Sequence, residues 1–379
     1  MATEFHTRIY DALSREYVGE FPFYDCSFNT PLGEAGEWTG TLALEEVDRE
    51  TIRHLKRALN YESAWIFVYW GATIPWHGKL VAAPWNRAEG TLAAKAAGTR
   101  SWLDQVMVGR GRDVRHSWKN MEQCQITRNL VGMVATGAGG RLKIHPDARV
   151  SGIRRDLLIE PQSYGVVGEL IDNLADGENG FEWDVLARDS AADGRPEFYL
   201  GQWYPERASP GAPRHLLADT GEHANILNDP GWPEDASGRR SMIHALGDGE
   251  APAMVTAVDY DPLLDTGRVL LTEKTSSYSG QGVTTARELA GLAHAEREQL
   301  SGTLSTLTVA VALDDPVYGS WQTGDRFRLV LRDEWLDTDL SAVRCVDHSV
   351  HYAQSDGQDL VSLELDMADS LAYSRNLVG

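Results

Sequence analysis

The stretch at residues 63–70, SAWIFVYW, restricts the fold more than any other in the chain. It is too short to cross a bilayer, which takes about 20 apolar residues in a helix. Its β-branched and aromatic side chains favour a strand. Gly71-Ala72 then turns the chain into a second strand over 74–83, so the pair reads as a hairpin. Side chains alternate faces along a strand, and Trp65 and Trp70 differ in parity, so the two indoles point to opposite sides. At least one of them is therefore expected to be covered by a neighbouring domain or subunit, because interfaces are enriched in tryptophan.

Strand patterns fill both ends of the chain. Before the hairpin, residues 7–10, 16–20, 24–29 and 39–44 read as a meander, and Asp48 caps a helix to Leu59 with Ile52, Leu55 and Leu59 on one face. After it, 90–97 reads as a strand and 99–108 as a short helix. The far end is β throughout, at 304–313, 325–331, 342–352 and 359–367, with turns at Gly319, Gly324 and Asp356-Gly357. Helical spacing is confined to the interior. Ile126, Leu130, Met133 and Val134 mark a helix over 120–135. Val167, Leu170, Ile171 and Leu174 mark a second over 163–175, with Ser163 as N-cap. Strands 181–188 and 196–203 follow across Asp193-Gly194, giving αα then ββ. Residues 205–238, rich in Pro, Gly, Asp and Asn, read as loop or junction. A strand at 241–246 and a helix capped by Thr285 and Glu288, with Leu289, Leu292, Ala293 and Leu300 on its apolar side, complete the pattern. With 379 residues, the chain exceeds what one hydrophobic core usually holds, so a multidomain, β-rich α+β protein is expected.

Composition excludes several functions. The 35 Lys and Arg against 56 Asp and Glu give a formal charge of -21, which repels phosphate backbones. No stable nucleic-acid binding is expected, although such a surface would let DNA slide past without holding it. No membrane span is expected, and residues 1–10 carry charge and lack the apolar core of a secretory signal. Cys26, Cys124 and Cys345 lie far apart with no CxxC pair, so they read as reduced and structural.

No local motif carries chemistry. The glycines of 134–140 (VATGAGG) lack the lysine and the strand-to-helix context of a phosphate loop and read as a helix end. Arg110 and Arg112, near Arg115 and His116, could hold an anion but read as a solvated loop. His348 and His351 lie three apart on a strand and so cannot ligate one ion together. No GxSxG is present. Glu182, Asp184 and Asp189 around Trp183 are formal candidates for the two carboxylates of a glycoside hydrolase, but in so acidic a chain such proximity is expected by chance. Of the twelve tryptophans, Trp65, Trp70, Trp76, Trp85 and Trp102 are grouped near the hairpin, where an interface is favoured over sugar stacking. No catalytic, cofactor-binding or metal-ligating residue is assigned, and no cofactor is expected.

The order of elements, with several strings, resembles the hub, or tail-associated, minor tail protein family of actinobacteriophages of the siphovirus type. The strings are GTLAL at 40–44, WIFVYWGATIPW at 65–76, the helix at 163–175 leading into GFEWDV at 180–185 and FYLGQWY at 198–204, LDDP at 313–316, and WQTGDRFRL at 321–329. Such hubs are similar in architecture to the contractile-tail baseplate hub. The resemblance implies split β-barrel tube domains at 1–110 and 241–379 around an inserted α/β peripheral domain at 111–240. It implies a homotrimer at the tail tip of the virion, made in the host bacterial cytoplasm. The implied partners are a distal tail protein ring, the tape measure protein and other minor tail or fibre proteins, with DNA passing through the lumen. Some relatives append a peptidase, lysin or receptor-binding module. The chain ends about ten residues past its last predicted strand, so no such module and no enzyme activity are expected. The alternatives are a tail-associated hydrolase acting on host cell wall or surface polysaccharide, and a glycan-binding receptor module.

Overall fold

The computed structural model describes residues 4–108, 115–135, 141–161, 164–177, 179–208, 215–230, 237–249, 254–279, 283, 285–301, 306–332, 337–355 and 359–366. The N-terminal strands are β1 (Phe5–Asp11), β2 (Tyr17–Glu20), β3 (Tyr24–Asn29), β4 (Glu37–Ala43), β5 (Ala64–Trp70), β6 (Thr73–Ala82), β7 (Trp85–Asn86) and β8 (Thr91–Gly98), with helix α1 (Arg49–Ala58) between β4 and β5. Asp48 caps α1 as its sequence predicts, its carboxylate accepting from the Glu50 and Thr51 amides. The β5–β6 hairpin turns at Gly71, whose φ of +59° suits glycine.

The interior carries β9 (His116–Glu122), helix α2 (Gln123–Ala135), β10 (Ile144–His145), β11 (Arg154–Ile159), helix α3 (Val167–Ala175), β12 (Glu182–Asp189) and β13 (Pro196–Trp203). The predicted αα-then-ββ order gains a β9–β11 pair that brackets α2, so the helix begins at Gln123 and not at Asn120. The sequence hid β9 because its residues, HSWKNME, are mostly polar and not fully buried. Helix α3 starts at Val167 with Val166 at the cap position and no side-chain cap bond; Ser163 lies outside the described residues.

Next come β14 (Leu216–Ala218), β15 (Met242–Leu246), β16 (Thr256–Tyr260), β17 (Glu273–Ser277) and helix α4 (Ala286–Ser301). The expected loop at 205–238 therefore holds a strand. Leu216–Ala218 is short and flanked by turn residues, yet it pairs in parallel with a C-terminal strand, and Leu217 is fully buried. The chain finishes with β18 (Thr306–Val311), β19 (Arg326–Arg332), β20 (Asp337–Tyr352) and β21 (Leu360–Asp366). The turn at Asp356-Gly357 and residue Met367 lie outside the described residues.

One sheet unites the two ends of the chain. Its path runs β14-β19-β20-β3-β4-β8-β6-β5-β1-β2, with β21 on β20, β18 on β21 and β7 on β8. Strand β20 is the seam, since its first part pairs with β19 and its last residues, Ser349 to Tyr352, pair with β3. Six spacings of about 4.8 Å would set β1 about 29 Å from β20 in a flat sheet. Instead, Thr7 of β1 shares a 2.6 Å hydrogen bond with the Tyr352 hydroxyl, and the Phe5 ring lies 4.9 Å from that of Tyr352. The sheet is therefore rolled. Among the described residues its ladder stays open, with β2 and β14 at the two ends, so the predicted barrels take the form of a rolled sheet closed by side chains. The two ends share one core that runs from Ile9 through Trp38 and Phe28 to Leu365.

Two further clusters complete the protein. The interior elements bury Cys124, Ile126, Leu130, Val167, Leu170 and Ile171 against Trp183, Phe198 and Leu200. A small α/β unit sets α4 against a three-stranded sheet in the order β16-β15-β17 and buries Ile243, Ala245, Leu289, Leu292 and Ala293. Thr285 caps α4 from within the predicted capping box, its Oγ1 accepting from the Glu288 amide at 3.2 Å.

Candidate assembly surfaces

Strand β5 explains why the hairpin needed two apolar faces. Ala64, Ile66 and Val68 belong to the rolled-sheet core, and Trp70 packs against it. Trp65, Phe67 and Tyr69 belong to the interior cluster. The parity argument thus holds, and the second face is covered by the chain's own interior elements. Trp76 is also buried, Trp70 and Trp102 are half-buried, and of these five tryptophans only Trp85 is exposed.

Polar contacts fix the same seam. The Trp65 indole donates to Thr99 Oγ1 at 2.8 Å, and Thr99 Oγ1 lies 2.7 Å from His77 Nδ1. The Tyr69 hydroxyl donates to Asp189 at 2.9 Å, and burial pushes that phenol up. Arg15, held at φ +61° in the β1–β2 turn, reaches across to the β12–β13 turn and pairs with Asp193 at 2.9 Å and Glu197 at 3.2 Å. One guanidinium thus ties two hairpins together.

A second seam joins β12 to the C-terminal strands through arginines. Arg344 Nη2 contacts Glu182 at 2.7 Å, Arg207 Nη1 contacts Asp184 at 3.2 Å, and Arg326 Nη2 contacts Glu206 at 3.1 Å. Gly324 passes here at φ +97°; a Cβ on it would sit 2.4 Å from the Arg207 carbonyl, so the close approach requires glycine. Two of the three carboxylates considered for hydrolysis are therefore paired with arginines, and Asp189 is bound to a tyrosine at the other end of β12. No sequence signal linked Glu182 to Arg344, because 162 residues separate them.

Between the seams lies a cleft of about 280 Å³, lined by Thr30, Trp76, His77, Arg207, Trp321 and His348 among others. Both histidines are buried, and burial lowers each pKa from 6.5 to about 3, with the charge of Arg207 contributing at His348. His348 Nδ1 lies 2.8 Å from Thr30 Oγ1 and 2.9 Å from Thr323 Oγ1. Imidazoles this weakly basic make poor proton acceptors near neutral pH, and hydroxyls hold them in place. The arrangement is suited to holding elements together.

The remaining candidates are placed as follows. His351 is exposed on β20 and His348 is buried, on opposite faces as their spacing predicts. The three cysteines are buried and unpaired, and burial raises the Cys26 thiol to about 12 and that of Cys124 to about 11. Residues 109–114 and 136–140 lie outside the described residues, so the Arg110 and Arg112 loop and the glycine run are not placed; α2 ends at Ala135. Arg115 pairs with Glu160 at 3.1 Å on the surface. Among the described residues, no group of three His, Cys, Asp or Glu is arranged to hold a metal ion, and no helix is long and apolar enough to cross a membrane.

No protein-family profile matches the chain, and no curated protein matches it. Solved structures do. A tail protein from Neisseria meningitidis MC58 superposes with a TM-score of 0.59 at 12% identity, covering 96% of this chain and 96% of that one. The 43 kDa tail protein of prophage MuSo2 from Shewanella oneidensis gives 0.57 at 13% identity, over 96% of this chain and 99% of the other. A chain of the lidless Francisella PdpA–VgrG complex gives 0.51 at 8% identity, over 97% of this chain and 65% of that chain. The protein therefore has the fold of phage tail proteins along nearly its whole length.

Proposed function

We propose that this protein is a hub at the tip of a siphovirus tail, a structural component of the virion and not an enzyme. The observation that carries the reading is the likeness to two tail proteins over 96% of this chain and nearly all of theirs. Three copies form a ring that continues the tail tube. The ring joins the distal tail protein ring above to the tape measure, tip and fibre proteins, and its lumen conducts DNA during ejection. Among the described residues strand β2 pairs only with β1 and leaves a ladder edge open at that end of the rolled sheet, and pairing such an edge between subunits is one way a ring removes it. The formal charge of -21 suits a channel that DNA must pass without adhering.

In this reading residues 1–110 and 241–379 supply the tube and 111–240 the peripheral insertion. Leu216–Ala218, within 111–240, pairs with β19 of the rolled sheet, and α4, within 241–379, packs in a cluster of its own.

The test is the copy number in purified virions, by quantitative peptide mass spectrometry against the major tail-tube protein. About three copies per particle are expected for a threefold ring. Six or more would make it a distal ring or fibre component. Absence from virions would overturn the structural reading and bring forward a hydrolase that acts on cell wall or surface polysaccharide.

A further inference from the structure

The sheet of the interior elements, in the order β10-β13-β12, buries one face and opens the other to a hollow. Trp183 and Val185 of β12 and Phe198 and Leu200 of β13 belong to the interior cluster. Leu186, Arg188, Tyr199, Gly201 and Trp203 have the opposite parity and stand on the outer face. The hollow measures about 490 Å³ and is lined by these residues and by the segment from Pro146 to Arg149 that follows β10. Gly201 sets its depth. A Cβ there would lie 2.6 Å from the six-membered edge of the Trp203 indole and 3.0 Å from the Leu186 side chain, so a larger residue would fill the floor.

Two guanidiniums line the hollow, and neither has a carboxylate partner among the described residues. Arg188 is held by stacking, with Cζ 3.7 Å from the centre of the Tyr199 ring, which leaves its N–H edges free. Arg149 is exposed, and Arg128 fixes its backbone by donating to the Arg149 carbonyl at 2.6 Å. The carboxylate in the lining, Asp147, accepts from the amides of Ala148 at 2.6 Å, Arg149 at 3.3 Å and Gln202 at 3.2 Å, so it is already engaged with the backbone. The other acids of this face are taken as well. Glu197, opposite Arg188 across the strand pair, meets Arg15 at 3.2 Å, the Tyr199 hydroxyl at 2.9 Å and His145 at 3.7 Å. Asp184 pairs with Arg207, Glu182 with Arg344, and Arg128 with Glu122. The lining therefore sets two arginines against one aspartate, a local positive excess in a chain of formal charge -21. With a screening length of about 8 Å at physiological salt, that local excess outweighs the distant acids.

Guanidiniums with free edges recognise a carboxylate or a phosphate. A bare ion would leave most of the space empty, since hollows of about 300–1,000 Å³ hold organic ligands. An indole edge and a phenol ring beside a glycine floor offer an apolar wall to the C–H face of a sugar. We infer that the outer face of the β10-β13-β12 sheet binds an acidic saccharide, a sugar ring that carries a carboxylate or a phosphate. Arg149 and Arg188 hold the anionic group, Trp203 and Tyr199 wall the ring, and the backbone at Gly201 lies beneath it. The site binds and does not cleave, because glycoside hydrolysis needs two carboxylates and the lining supplies one, which three amides hold.

The inference does not depend on the tail reading, and its test uses the full-length chain alone. Digalacturonate, glucose 1-phosphate, neutral cellobiose, inorganic phosphate and a hexaglutamate peptide are titrated against it by saturation-transfer NMR. At least one acidic sugar is expected to bind saturably, and more weakly as salt rises, whereas cellobiose does not bind. Binding of digalacturonate alone would name a carboxylate as the anionic group, and binding of glucose 1-phosphate alone a phosphate. Arg149→Gln and Arg188→Gln are each expected to weaken binding about tenfold, since each removes a charge-assisted hydrogen bond. Both side chains are exposed, so two independent variants guard against one that fails to fold. Arg87→Gln makes the same charge change at an exposed arginine after β7, outside the hollow, and should leave binding unchanged. The proposal is overturned if neither acidic sugar binds, if cellobiose binds equally well, or if Arg87→Gln weakens binding as much as Arg188→Gln. Inorganic phosphate binding as tightly as the sugars would show an adventitious ion only, tighter binding of hexaglutamate would assign the hollow to an acidic protein segment, and cleavage of digalacturonate would make it a hydrolase; each of these overturns it too.

Discussion

The rolled sheet and the α/β unit around α4 solve the same problem at opposite ends of the range of sequence separation. In the rolled sheet, Thr7 bonds Tyr352 across 345 residues, and β20 cannot meet β3 until both ends of the chain are in place. In the α/β unit the side-chain contacts are local: His244 with Glu273, Ser276 and Tyr278 with Glu296, and Asp259 with Arg297. Long-range pairing carries a large loop-closure cost and is repaid by a large core, whereas local pairing forms readily and leaves a small one. The difference also separates two kinds of stability. The rolled sheet shares strand β5 with the interior cluster, so these two cores cannot part without exposing Trp65, Phe67 and Tyr69. The α/β unit has a cluster to itself and can open alone.

The largest effect should come from breaking the shared strand. Phe67 is 1% exposed and its ring stacks on Phe198 at 5.8 Å and on His77 at 6.1 Å. Phe67→Ala is expected to cost about 3–5 kcal/mol, through lost transfer energy and the cavity left behind. Because β5 serves both cores, tryptophan fluorescence and circular dichroism should report one transition, shifted together to lower denaturant. Two separated transitions in the variant would show that the sheet and the interior elements are independent.

A second effect sharpens the comparison through pH. His77 and His348 lie at the seams of the two joined cores and are held neutral by burial down to about pH 3, whereas an unfolded imidazole titrates near 6.5. Below pH 6.5 the unfolded chain takes up protons that the native state refuses until about pH 3, so stability falls as pH falls through that window. The slope reaches about 1.4 kcal/mol per pH unit for each histidine, so lowering the pH from 7 to 5 should cost about 4 kcal/mol for the pair. Urea midpoints at the two pH values check this. His348→Asn should remove about half of the pH dependence, and an unchanged difference would show that His348 titrates normally in the native state.

These contrasts also show which parts of the structure were legible in the sequence. Alternation exposed β18 and β21, whose buried residues Leu307, Val309 and Val311 face Leu365, Leu363 and Val361. Capping chemistry exposed α1 at Asp48 and α4 at Thr285. Strands without an apolar period were invisible: β17, with residues EKTSS, is almost wholly exposed, and β14 is three residues inside a run of turn formers. The parity of Trp65 and Trp70 announced two covered faces but could not name the cover, since Phe198 lies more than a hundred positions away. The arginine seam left no trace either. Arg207, Arg344 and Glu182 are ordinary charged residues until the fold places them within reach of one another.

The smallest effect tests the independence of the α/β unit most directly. Thr285 donates to Glu288 Oε2 at 2.8 Å and accepts from the Glu288 amide, so Thr285→Ala removes the cap of α4 without touching its core. The expected cost is about 1 kcal/mol. In a unit that buries six hydrophobic residues among those described, that is a large share of the local stability, and it should speed amide hydrogen exchange in α4 about fivefold. Amides of β5 and β6 should exchange as in the parent protein, because their opening requires the two joined cores. If α4 and β5 amides accelerated together, the unit would be cooperative with the rolled sheet, and the contrast between a local and a long-range core would fail where it is easiest to measure.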